Sequence, residues 1–159
     1  NRRALLDDAH MLFNLSRRYG TPLSVAILDM DHFKHINDNY GHAVGDKVLR
    51  EVAHVVQKNI REVDVFGRLG GEEFVLILPG VQPCHAAEML NRMRMVINQL
   101  NFRPHQGPAS VSASIGMATF TGDHASFDSL LEQADRRLYE AKAAGRNRVV
   151  TLDCPSETT

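Results

Sequence analysis

The chain has 159 residues, 43% of them hydrophobic, with 18 basic and 19 acidic side chains and a formal net charge of −1. That length suits one domain with a real core, and the balanced charge excludes a broad basic face for coating nucleic acid while leaving room for a local anion pocket. No apolar run approaches the ~20 residues of a membrane span, and no signal peptide is recognisable.

In chain order, Leu5, Ala9, Leu12 and Leu15 form a helical stripe that breaks at Gly20-Thr21-Pro22. Leu23 to Leu28 is a continuous apolar strand closed by Asp29, and Phe33 to Tyr40 is a short helix stopped by Gly41. Asp46 is expected to open a long amphipathic helix carrying Val48, Leu49, Val52, Val55, Val56 and Ile60. A Gly70-Gly71 hairpin then joins strands near Val63 to Arg68 and Phe74 to Leu78. A second long helix is expected from about Pro83 to Leu100, a loop from Asn101 to Pro108, and a strand or strand pair from Val111 to Phe120. Ser126 caps a third long helix ending at Gly145, and Arg148 to Leu152 makes a final strand. The predicted class is α+β, a central and mainly antiparallel sheet packed by helices. Residues 1–153 read as one domain and 154–159 as a polar tail. Cys84 and Cys154 show neither metal nor disulfide spacing, which suits a reducing cytosol. The abrupt helical start at Asn1-Arg2-Arg3 suggests a fragment of a longer protein whose remainder holds a sensor or a membrane anchor.

Four clusters could carry chemistry. Glu72 and Glu73 leave a tight turn where an interior strand begins, a costly place for carboxylates unless they bind a cation or react. Asp29 and Asp31 end the first strand, with His32, Phe33 and Lys34 where the chain turns into a helix. Hard carboxylate oxygens suit Mg²⁺ and helix-start amides suit phosphate, although an Asp N-cap with a surface lysine is the bland alternative. Asn37 and Asp46 bracket Gly41 and Gly45; a carboxylate there could accept both N–H donors of a guanine edge, or simply cap a helix. Lys142 and Arg146 lie four apart at a helix end, complementing its dipole or neutralising nucleotide phosphates. His32, His35 and His42 complete no recognised zinc set.

Together these motifs resemble the GGDEF domain family, the diguanylate cyclases, with Gly70-Gly71-Glu72-Glu73-Phe74 as a GGEEF variant of the signature over about Asn1 to Val150. The resemblance implies a nucleotidyl-cyclase or polymerase-palm-like fold and condensation of two GTP into cyclic di-GMP, a bacterial second messenger, with release of pyrophosphate. It implies that Asp29, Glu72 and the Met30 carbonyl bind Mg²⁺, for which Mn²⁺ could substitute, and that Glu73 serves catalysis or the metal. Lys34, Lys142 and Arg146 would hold the triphosphate with amides near His32 and Phe33, while Asn37 and Asp46 would read guanine. Members that make a mixed adenine–guanine product carry Ser at the position of Asp46, so this chain resembles the guanine-selective majority. Each domain of the family holds one GTP, so a homodimer of facing domains is implied. Arg61 and Asp64 match the family's Arg-x-x-Asp site for inhibitory cyclic di-GMP, with Arg92 as a supporting arginine. Leu69 replaces the aromatic residue common before the double glycine. A cytoplasmic domain is expected, without nucleic-acid or direct membrane contact, beside a sensor domain in the parent protein. The competing reading is a catalytically silent regulatory module binding GTP or cyclic di-GMP.

Overall fold

The Asn1 side chain accepts the Ala4 N–H at 3.1 Å and so starts the first helix, α1 (Arg2–Tyr19), which Gly20 ends in the left-handed region at φ 67°. This computed structural model describes residues 1–154. After α1 come β1 (Leu23–Met30), α2 (Phe33–Tyr40), α3 (His42–Lys58), β2 (Val65–Gly70), β3 (Glu73–Pro79), α4 (Pro83–Asn98), a 3-10 turn (Arg103–His105), β4 (Ala113–Phe120), α5 (Phe127–Ala143) and β5 (Val149–Val150). The strands form one sheet in the order β2-β3-β1-β4-β5. All pairings are antiparallel except β4 with β5, as the α+β reading expects.

Strand alternation divides the core into two layers. Ala26, Leu28 and Met30 of β1, with Phe74, Leu76 and Leu78 of β3, pack against α3 and α4. Leu23, Val25 and Ile27, with Val75 and Ile77, pack against α1 and α5. Because β1 and β3 are buried on both faces, they read as unbroken apolar runs rather than alternating ones. Asp29 continues the odd-numbered set and meets Lys142 of α5, while Asp31 follows just after the strand end.

The seating of α5 depends on Gly116 of β4. A Cβ there would lie 2.1 Å from the Leu138 nitrogen and 2.2 Å from the Ala134 carbonyl oxygen. Only a glycine lets helix backbone meet strand backbone so closely. Ser126 caps α5 as predicted, in a reciprocal pair with Ser129.

Several expectations need correction. The helix read as opening at Asp46 begins at His42, so Asp46 lies inside α3 and does not cap it. The pattern misled because Gly45 looks like a breaker, yet it is buried within the helix, where a Cβ would collide with Asn37. The last strand is only Val149–Val150, shorter than the expected Arg148 to Leu152. Cys84 and Cys154 form a disulfide with Cα atoms 5.0 Å apart. Their separation of 70 residues offered no local spacing; the fold brings the start of α4 to the C-terminal segment.

Candidate active site

The acidic cluster is built by strand register. Asp29 lies directly opposite Glu73 in the β1–β3 ladder, and the Met30 N–H donates to the Glu72 carbonyl at 3.3 Å. The hairpin gains its sharp exit from a register shift between Arg68 and Gly70 and from Gly71 at φ 47°. Arg68 fastens the turn by donating to the Gly71 carbonyl from Nε at 2.8 Å and Nη2 at 2.5 Å. The two signature acids thus stand beside the end of β1.

Lys142, projected from the last turn of α5, donates to Asp29 Oδ2 at 2.9 Å. Even so, burial holds the Asp29 carboxyl above its ordinary value, with Glu72 and Asp31 adding repulsion against the opposing pull of Lys142. Glu73 is also raised, first by burial and then by the charges of Asp29 and Asp135. Among the described residues, no three acidic, histidine or cysteine side chains already form a metal-ligand group.

The adjoining cleft, about 190 Å³, is lined by Asp29, Met30, Asp31, His32, Phe33, Lys34, Glu72, Lys142 and Arg146. His32 adopts a left-handed backbone at φ 54° and its side chain makes no cap to α2. The first amides of α2 are left without a side-chain acceptor beside the cleft, an arrangement that suits an anion. Lys34 extends into solvent, with only a 3.4 Å contact to Asp38.

Asn37 and Asp46 are placed by the packing of α2 on α3. Asn37 Oδ1 fills the space above Gly45 and is buried with no hydrogen-bond partner. Exposed Asp46 lines a neighbouring cleft of about 610 Å³ with Leu49, Arg50, Phe66, Arg68 and Phe74. Arg61 and Asp64 form a closed unit apart from these clefts. Asp64 accepts from Arg61 Nη2 at 2.6 Å, Nε at 3.2 Å and the backbone N–H at 2.8 Å, while Nη2 also reaches the Pro79 carbonyl at 2.7 Å. Arg92 is exposed on α4 without a partner among the described residues.

The sequence sets Asp31 beside Asp29 without pointing to a task for it. It is 5% exposed and accepts from Ser112 Oγ and Ser114 Oγ at 2.6 Å each and from the Asn147 N–H at 3.0 Å. Sequence held no signal for these partners, because they lie 81 to 116 residues away.

The family model described as "Diguanylate cyclase, GGDEF domain" matches residues 1–148. The chain is 40% identical over 149 residues to diguanylate cyclase DgcP of Pseudomonas aeruginosa, covering 94% of this chain and 22% of that protein. It is 39% identical over 152 residues to response regulator PleD of Caulobacter vibrioides, covering 94% of this chain and 34% of that protein. It therefore spans about a fifth to a third of those curated relatives. Among solved structures, the GGDEF domain of DgcB from Caulobacter crescentus, in complex with c-di-GMP, superposes with a TM-score of 0.89 at 34% identity, covering 94% of this chain and 89% of that one. The active GGEEF domain of a diguanylate cyclase from Vibrio cholerae gives 0.87 at 33% identity, covering 94% of each chain. This chain belongs to the GGDEF domain family, the diguanylate cyclases.

Proposed function

We propose that the chain condenses two GTP molecules into cyclic di-GMP, one GTP held by each of two facing domains. The observation that carries this reading is the convergence, in one cleft, of Asp29 and Glu72 with Lys142, Arg146 and the uncapped start of α2, Glu73 lying opposite Asp29 on the neighbouring strand. Carboxylate oxygens that burial and mutual repulsion hold above their ordinary values fit a hard divalent cation. Asp29, Glu72 and Glu73 would hold Mg²⁺ or Mn²⁺, with the Met30 carbonyl beside them. Such an ion, when bound, lowers the pKa of a nearby hydroxyl and offsets charge on phosphate oxygens.

The chain's own groups supply the rest. Lys142 and Arg146 neutralise phosphate charge, Lys34 adds a third cation, and the amides near His32 and Phe33 cradle phosphate oxygens. The orphaned Asn37 Oδ1 needs an N–H donor, and the exposed Asp46 carboxylate can accept the N1–H and N2–H of guanine. Adenine offers no such pair of donors. Burial raises the Glu73 pKa, so in its ionised form it would be the stronger base to take the proton of one GTP's 3′-hydroxyl as that oxygen displaces pyrophosphate from the α-phosphate of the other. Arg61 and Asp64, with Arg92, would accept cyclic di-GMP as an inhibitor, which requires the product to compete for the Arg61 guanidinium now spent on Asp64 and Pro79.

Incubation with GTP and Mg²⁺ should yield cyclic di-GMP and pyrophosphate, and ATP should yield no cyclic product. Asp46→Ala should reduce the preference for GTP over ATP at least about tenfold in competitive binding. An unchanged preference would remove Asp46 from base recognition.

A further inference from the structure

Arg146 and Asn147 both occupy the left-handed region, at φ 65° and 48°, directly after Gly145 at φ 119°. Such a run is unfavourable for side-chain-bearing residues unless its surroundings hold it. Arg146 donates its N–H to the Ala141 carbonyl at 3.0 Å and its carbonyl accepts from Arg148 Nε at 3.0 Å, while two further contacts hold Asn147. Buried Asp31 accepts the Asn147 N–H at 3.0 Å, and Arg94 of α4 donates from Nη1 to Asn147 Oδ1 at 2.8 Å. Asn147 is thereby gripped through its backbone by the segment after β1 and through its side chain by α4, while its neighbour Arg146 lines the phosphate cleft.

We propose that Asp31 and Arg94 are positioning residues that clamp Asn147 and thereby aim Arg146 at the nucleotide's phosphates, an inference that rests on reading the cleft as a GTP site. Asp31 suits the task because three donors converge on it and a carboxylate only accepts. An amide in its place would turn an N–H₂ toward one of them. Arg94 suits it because a planar guanidinium spans Asn91 Oδ1 at 3.0 Å and Asn147 Oδ1 at once. Neither residue need touch the nucleotide.

The test compares affinities for 3′-deoxy-GTP, which lacks the attacking hydroxyl, and for GMP, which lacks the outer two phosphates. Arg94→Ala should weaken 3′-deoxy-GTP about tenfold while leaving GMP binding unchanged. Arg146→Ala should weaken 3′-deoxy-GTP at least as much, and the double variant should be no weaker than Arg146→Ala alone. Asp31→Asn should repeat the Arg94 pattern, and Arg94→Lys should recover part of the loss. Equal losses for both nucleotides, additive losses in the double variant, or unchanged affinity in Arg94→Ala would overturn the clamp. If the unaltered protein binds 3′-deoxy-GTP no more tightly than GMP, or Arg146→Ala has no effect, the GTP reading of the cleft itself fails.

Discussion

At the scale of single residues, Asp29 and Glu73 are ionisable groups placed where their charged forms are disfavoured. Their ordinary values are 3.8 and 4.5, and both are raised in the fold. As pH rises, the unfolded chain releases these protons first, so their contribution to stability is full below about pH 4 and is lost as pH passes through the raised values. Glu73→Gln should therefore raise the melting temperature at neutral pH, with the gain fading under acid conditions, while lowering turnover at least about 100-fold. A pH series of melting curves checks the first part; a destabilised variant at neutral pH would contradict it. The acids themselves were legible in sequence, since two carboxylates at the mouth of a buried strand demand an explanation. Asp31 was not, because it resembles Asp29 in sequence and differs only through Ser112, Ser114 and Asn147, which the fold delivers from afar.

At the scale of elements, the site depends on how closely α5 sits on β4. Gly116→Ala should cost about 3 kcal/mol or more in urea unfolding, because the new Cβ meets backbone that cannot step aside as a flexible side chain would. Undiminished stability would show that α5 can shift outward, and Lys142 would then no longer be fixed beside Asp29. Helix and strand types could be read from periodicity, and the caps at Ser126 and Gly20 marked their element ends well. The start of α3 could not, because a glycine buried inside a helix and a glycine ending one look alike in sequence. Gly45 is small to make room for Asn37, a fact of packing between two helices.

At the scale of the whole molecule, the C-terminal segment is fastened back across the sheet. Asp153 pairs with buried Arg137 at 2.6 Å and accepts the Thr119 N–H at 2.8 Å, and Cys154 is bonded to Cys84. A crosslink closing a 70-residue separation should contribute about 4 kcal/mol by constraining the unfolded chain. Cys84→Ser should lose roughly that amount under oxidising conditions and match the unaltered protein once both are reduced. Equal stability before reduction would contradict this. The palm-like sheet followed from ordered motifs along the chain, whereas the crosslink and the Arg94–Asn147 contact needed the fold.

On the proposed reading each domain holds one GTP, so the attacking hydroxyl and the attacked phosphate would come from different copies. The most direct measurement is cyclic di-GMP formation from GTP and Mg²⁺ across a range of protein concentrations, after any co-purified cyclic di-GMP has been stripped. The account predicts product whose rate rises faster than linearly with protein concentration. GTP bound but no product formed at any concentration would contradict it and identify a silent nucleotide-binding module instead.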